Sequence, residues 1–193
     1  MGIEYELKFR ATPQAQKEVL SSTDATWETI AMETTYYDTP QGSLSARRCT
    51  LRRRLENGVS VCTLKTPAPG GARGEWDTQK PSIEEAHPEL CKLADPNLLS
   101  IIEAEGLTVV CGARFTRRCA CIDLGDTQVE IALDEGILMG GSKEIPLCEL
   151  EVELKSGSRE AAAAFAQLLA KKYGLQPEEK SKFRRALDLA KEN

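Results

Sequence analysis

The run CELEVELK at residues 148–155 decides the fold, because Cys148, Leu150, Val152 and Leu154 fall on one parity and Glu149, Glu151, Glu153 and Lys155 on the other. Side chains alternate across a strand, so the run predicts a β-strand with one apolar face and one wholly ionic face. The N-terminus repeats the arrangement, with Ile3, Tyr5, Leu7 and Phe9 set against Glu4, Glu6, Lys8 and Arg10. Taken singly, such a strand has an apolar inner face and a solvated outer one. Three glutamates stacked about 7 Å apart along one strand face, however, repel one another unless a cation sits among them. Complementary charge recurs at strand spacing in Arg52 with Arg54, in Lys65 after Thr63, in Arg73 with Glu75, and in Glu130 with Asp134. A hard divalent metal would relieve the repulsion, and carboxylate-only ligands suit Mg²⁺ or Mn²⁺. Facing arginines and lysines imply a polyanion, since Arg presents paired donors to phosphate and Lys a compact charge.

Outward from these two runs the periodicity is mostly two, which predicts strands at 3–10, 28–38, 49–56, 60–66, 71–78, 113–124, 128–138 and 146–155. About eight strands is a natural number for closing a small barrel. Asn57-Gly58 is a strong hairpin signal, and 124–126 and 139–141 are further turns, so neighbouring strands should pair in sequence. Helical patterns cover 13–21, where Thr12 can cap and Pro13 suits the first turn, then 82–105, 158–173 and 178–191. Phe183, Leu187 and Ala190 share one face of the last, which should pack on the barrel or across its mouth. The segment TPAPGGAR at 66–73 reads as a loop beside the site.

The composition narrows the function. The chain has 193 residues, 41% hydrophobic and 28% charged, which fits one globular domain. No apolar run reaches the roughly 20 residues of a membrane-spanning helix, and the N-terminus lacks the pattern of a secretory signal, so a cytoplasmic location is expected. A net charge of −5 opposes binding to nucleic acid by phosphate neutralisation. Seven cysteines without a C-x-x-C pair argue against both a disulfide framework and structural zinc. The one histidine, His87, lies in a polar, Pro-flanked stretch and reads as a surface residue.

Glu4-Tyr5-Glu6-Leu7-Lys8 is an E-x-E-x-K motif. It is followed in order by YYDTP at 36–40, LRRR at 51–54, TLK at 63–65, RGEW at 73–76, E-x-x-L-D at 130–134 and CELEVELKSG at 148–157. In this ordered set the chain resembles the CYTH, or triphosphate tunnel metalloenzyme, superfamily over essentially its whole length. The resemblance implies a mainly β fold with helices, an eight-stranded antiparallel closed barrel, as one domain over 1–193. Its inward charges would hold a linear triphosphate and a divalent metal, Mg²⁺ or Mn²⁺. By the same resemblance Glu4, Glu6, Glu149, Glu151 and Glu153 would supply metal ligands. Lys8, Arg52, Arg54, Lys65, Arg73 and Arg117 would bind phosphate oxygens, and Glu75, Glu130 and Asp134 would orient these cations. Glu4, Glu6, Lys8 and Lys182 would carry catalysis, with Lys182 at a tunnel mouth. Parity leaves open whether Arg117 or the pair Arg114 and Arg118 points inward. The implied activity is hydrolysis of inorganic tripolyphosphate to pyrophosphate and phosphate. Thiamine triphosphatase, nucleoside triphosphatase and CYTH-type adenylate cyclase are the alternatives, and a non-catalytic polyphosphate- or nucleotide-binding module is the reading from another class. The expected partner is a small-molecule triphosphate, with neither membrane nor nucleic acid, and the oligomeric state is open between monomer and homodimer.

Overall fold

The structure, a computed structural model, describes residues 2–68 and 73–191, with side chains described from Tyr5 onward. One antiparallel sheet dominates it. Its strands are β1 (Gly2–Glu4), β2 (Glu6–Arg10), β3 (Glu28–Asp38), β4 (Thr50–Glu56), β5 (Val59–Pro67), β6 (Arg73–Thr78), β7 (Thr108–Asp123), β8 (Gln128–Gly140), β9 (Lys143–Ser156) and β10 (Gln176–Pro177). The hydrogen-bonded order is β1-β6-β5-β4-β3-β7-β8-β9-β2-β10.

This order corrects the expectation of a closed eight-stranded barrel: the sheet has ten strands and two ends, at β1 and β10. The reason lies at Tyr5. The predicted strand 3–10 is broken there, so that β1 pairs with β6 while β2, one residue later, pairs with β9. A segment this short is divided between two neighbours, and no strand pair closes the ladder. The sheet nonetheless curls, because consecutive N-terminal residues pair with strands near opposite ends of the order.

The register gathers the ionic parity onto one face. Glu6 pairs with Glu153 and Lys8 with Glu151 across β2 and β9, Asp134 with Glu149 across β8 and β9, and Arg117 with Asp134 across β7 and β8. Tyr36 stands opposite Arg52, and Lys65 opposite Glu75. The concave face of the curled sheet is therefore charged and its convex face apolar, the reverse of an ordinary half-solvated sheet. Helices cover the convex face. α1 (Pro13–Ser22), capped by Thr12, and α5 (Arg159–Tyr173) enclose Phe9, Val19, Ile131, Leu150, Val152 and Ala166. α3 (Ile83–Ala94) and α4 (Pro96–Glu105) cover Leu51 and Leu64 of β4 and β5.

Further boundaries differ from expectation, β7 beginning at Thr108, five residues ahead of the expected 113. The stretch 82–105 is two helices: Pro88 is accommodated inside α3, but at Pro96 the bias of a proline against helical backbone in the preceding residue prevails; Asp95 is extended at φ −157° and its carboxylate caps α4 through Asn97 N. α2 (Ser43–Ala46) is a single turn too short to show a period. α6 (Lys182–Lys191) starts four residues later than expected, since 176–178 is held extended on β2 by β10 and by the bond from Glu178 N to Lys8 O at 2.8 Å. The hairpin at Asn57-Gly58 is as predicted, with φ of 48° and 86°.

α6 lies against β7 and β8, with Phe183, Ala186 and Leu187 on Met32, Tyr36, Phe115 and Leu138. Gly140 permits this approach, because a Cβ there would stand 2.3 Å from Ala186 O and 2.6 Å from Ala190 N. Gly140→Ala should therefore lift α6 and lower unfolding stability by about 1–3 kcal/mol, the usual cost of overpacking. Urea unfolding would check this, and an unchanged midpoint would show that α6 is not seated through Gly140.

Candidate functional site

The concave face encloses a cavity of about 200 Å³. Strand parity places its charges: Glu6 and Lys8 come from β2, Arg52 and Arg54 from β4, Lys65 from β5, Arg73 and Glu75 from β6, Arg117 from β7, and Glu151 and Glu153 from β9. Lys182, from the first turn of α6, completes the charged lining. Seven cations thus share the cavity with four carboxylates. Arg117 is the member of its trio that lines the cavity, whereas Arg114 is exposed and Arg118 pairs with Glu135 at 3.7 Å.

Three residues implied by the sequence lie outside this lining. Asp134 and Glu149 are fully buried behind the lining, and Glu130 is half-buried on β8 outside it. The side chain of Glu4 lies outside the described residues; its backbone pairs with Arg73. His87 sits half-buried in α3, away from the cavity.

The carboxylate wall is neutralised at its base. Lys182 Nζ lies 2.8 Å from Asp134 Oδ2, 2.7 Å from Glu149 Oε2 and 2.6 Å from Glu151 Oε1. Arg117 forks onto Asp134 at 2.8 and 2.7 Å and reaches Glu151 Oε2 at 2.6 Å. Arg185 bonds the other Glu149 oxygen, and Arg10 bonds Glu178 at 2.6 Å nearby. Burial opposes each of these charges. For Lys182 and Arg117 the surrounding carboxylates win and hold both above their ordinary ranges. Burial pushes Glu151 up, but Lys182 and Arg117 overcome it and leave the carboxyl well below the usual range. Glu149 goes the other way, because burial outweighs Lys182 and is reinforced by Glu151.

The opposite wall is left cationic. Arg52 and Lys65 share Glu75, at 3.6 and 3.2 Å. Arg54 donates to Thr34 Oγ1 at 3.0 Å, and burial together with the neighbouring Arg52 and Arg117 lowers its pKa to about 10. Arg52 Nε is buried with no hydrogen-bond partner among the described residues. Buried donors are nearly always satisfied, so the Arg52 Nε is a candidate donor to an anion in the cavity. Arg73 is aimed by two acceptors, Arg48 O and Thr50 Oγ1, both at 3.2 Å.

Sequence reading did not single out Phe115, whose ring has Lys182, Arg54 and Arg117 at 5.5, 5.8 and 5.9 Å from its centroid. Its negative π-face adds to the neutralisation of all three. The available signal was parity, since Phe115 shares that of Arg117. Tyr36, Thr50, Ser181 and Phe183 also line the cavity, and Tyr36 stacks on Phe183 at 5.1 Å.

As a cation site, Asp134, Glu149 and Glu151 each offer an oxygen within 4.8 Å of the others. The Lys182 ammonium already stands among those oxygens. The described carboxylates that open to the cavity are Glu6, Glu75, Glu151 and Glu153. Glu75 pairs with Arg52 and Lys65, Glu6 with Lys8 at 3.3 Å, Glu153 with Lys155 at 3.0 Å, and Glu151 with Lys182 and Arg117; Glu6, Glu151 and Glu153 together form an oxygen-only donor set of the kind that suits a hard divalent ion.

Fold and cavity together define an antiparallel β protein with an inward-facing charged cavity of separated acidic and basic walls. Residues 2–187 match the CYTH domain family, and the chain belongs to it. The inorganic triphosphatase of Haemophilus influenzae is 27% identical over 172 residues, which cover 86% of this chain and 49% of that protein. The chain thus spans about half the length of this relative. Among solved structures, PH1819 from Pyrococcus horikoshii matches with a TM-score of 0.66 at 20% identity, over 96% of this chain and 99% of its own. HpAC1 from Hippeastrum, a putative adenylyl cyclase described as having a dominant triphosphatase activity, matches at 0.64 and 18%, over 97% and 96%.

Lys182→Met should cost about 3–5 kcal/mol of stability, because it leaves three buried carboxylates short of a cation. Adding Glu149→Gln, which removes one of those charges, should restore part of the loss. Denaturant unfolding of both variants reads this directly, and a double variant no more stable than the single one would refute the charge account.

Proposed function

We propose that this chain is a divalent-metal-dependent hydrolase of triphosphates, acting as a single domain, with inorganic tripolyphosphate as its first substrate and pyrophosphate and phosphate as products. The observation that carries this reading is the cationic wall of the cavity, with the buried Arg52 Nε unpartnered among the described residues, facing a wall of carboxylates. Family membership and the name of the Haemophilus relative support the same class.

In this reading Lys8, Arg52, Arg54, Lys65, Arg73 and Arg117 hold the phosphate oxygens, Arg by paired donors and Lys as point charges. Glu75 sets Arg52 and Lys65, and Asp134 sets Arg117 and Lys182. Glu6, Glu151 and Glu153 would hold Mg²⁺ or Mn²⁺, with Glu4 added by the E-x-E-x-K motif; when bound, the ion supplies neutralisation of phosphate charge. Glu149 neutralises Lys182 and Arg185 from beneath. Glu6, or Glu4 beside it, orients a water in line with the terminal phosphorus. The water oxygen bonds to phosphorus, the bridging P–O bond breaks toward pyrophosphate, and the carboxylate takes the water's proton. Lys182 and Arg54 face the cavity where charge gathers on the transferred group, and being fixed beforehand they need no reorganisation during the reaction.

Seven free cysteines, five of them buried, support a reducing compartment and hence the cytoplasm. No helix among the described residues is long and apolar enough to cross a membrane.

The test is phosphate release from tripolyphosphate, ATP, thiamine triphosphate and pyrophosphate with Mg²⁺, Mn²⁺ or EDTA. Tripolyphosphate should be cleaved fastest and EDTA should stop the reaction. Glu6→Ala should lower kcat about 10²-fold or more, the usual scale for a lost general base. Arg52→Ala should act mainly on KM. Saturable tripolyphosphate binding without release from any substrate would instead make the chain a binding module.

A further inference from the structure

A second hollow, an open groove of about 490 Å³, adjoins the cavity, and Thr50, Arg73, Ser181 and Phe183 line both. Its outer wall carries the exposed side chains of Arg48, Lys180 and Arg184, with Glu179 as the one carboxylate among the described residues that line it. Lys180 and Arg184 share a single further carboxylate, Asp188, at 2.9 Å each, so the groove keeps an excess of positive charge.

The Arg48 side of the groove is fixed in advance. The Asp38 carboxylate, 2% exposed, accepts from the backbone N–H groups of Thr39, Leu44 and Ser45 at 2.7, 2.9 and 3.1 Å. Those bonds hold α2 and the turn after it, where Arg48 takes a left-handed φ of 60°. Such a conformation is costly for a non-glycine residue and persists where surrounding structure imposes it. It also turns the Arg48 carbonyl onto Arg73, the cation common to both hollows. The YYDTP run, to which the cavity itself assigns only Tyr36, thereby gains a physical role through Asp38.

We propose that this groove is a subsite for phosphate units beyond the third, so that a linear polyphosphate longer than tripolyphosphate runs from the cavity past Arg73 and Ser181 onto Arg48 and Arg184. The proposal rests on the triphosphate reading of the cavity and adds a chain-length preference to it. Arg48 and Arg184 are specificity-determining residues in this arrangement and touch none of the reacting atoms.

The experiment compares the wild type with the double variant Arg48→Gln/Arg184→Gln, both residues being exposed, using tripolyphosphate and a medium-chain linear polyphosphate as ligands. Direct calorimetric binding and phosphate release are measured for each, with thermal unfolding to compare the folds. In the wild type the longer chain should bind more tightly than tripolyphosphate. The double variant should bind the longer chain about tenfold more weakly, the scale of two lost charge-assisted contacts, while tripolyphosphate binding and turnover stay within about twofold. Intact long-chain affinity in the variant, or an equal loss for both ligands, overturns the subsite while leaving the triphosphate reading in place. A wild type that fails to bind tripolyphosphate overturns that reading, and the subsite with it.

Discussion

The ammonium of Lys182, set 2.6–2.8 Å from Asp134, Glu149 and Glu151, is the contact on which the rest of the structure depends. A sheet that turns its ionic face inward has to bury carboxylates, and Asp134 and Glu149 have no exposure at all. Taking such charges out of water costs several kcal/mol each unless partners and geometry compensate. The compensation comes from Arg117 on β7 and from Lys182 and Arg185 on α6. α6 is thus bound to the sheet by charge at its start and by apolar packing along its length. Gly140 allows the close approach that both require.

The same arrangement divides the cavity. Where carboxylates meet the α6 cations the charges are matched, and Glu151 is held ionised despite its burial. Where β4, β5 and β6 face the cavity Arg52 and Lys65 share Glu75, and burial beside Arg52 and Arg117 lowers the Arg54 pKa to about 10. An incoming anion relieves this second wall. In the proposed function, ligand binding and stability would act through the same residues, as expected where a site is preorganised rather than assembled on binding.

Much of this was legible in the sequence because a period of two survives any tertiary arrangement. The parity of Glu6 and Lys8, of Arg52 and Arg54, and of Glu151 and Glu153 fixed which residues could share a face, and the structure brings these into one cavity. Parity says nothing about which face is concave, and that came instead from the crowding of like charge. What was not legible depends on contacts between distant segments. The break at Tyr5 exists because β6 and β9 both compete for one short N-terminal segment, which turns an expected closed barrel into a sheet with two ends. The partners of Lys182 depend on how α6 docks, and the three cations around Phe115 come from three separate elements. Pro96 was a local signal of a different kind: it stood inside an apolar-periodic stretch, and the period masked the helix boundary that proline chemistry demands.

Separation of the two walls also bears on what kind of anion the site can select. A compact anion such as a single phosphate can contact only part of the cationic wall, since Arg52 and Arg54 alone are about 7 Å apart along β4. Engaging these together with Lys65, Arg73, Arg117 and Lys8 requires a ligand that carries charge along its length. A linear chain of phosphates meets that requirement, and its flexibility lets each unit settle against a fixed cation instead of demanding that the protein move. The carboxylates across the cavity then limit where the chain can lie, because phosphate oxygens cannot approach Glu6, Glu151 and Glu153 without an intervening cation. In the proposed function, selectivity for a chain-like polyanion accompanied by a metal would follow from one wall carrying most of the cations and the other most of the carboxylates, with Lys182 at the boundary between them.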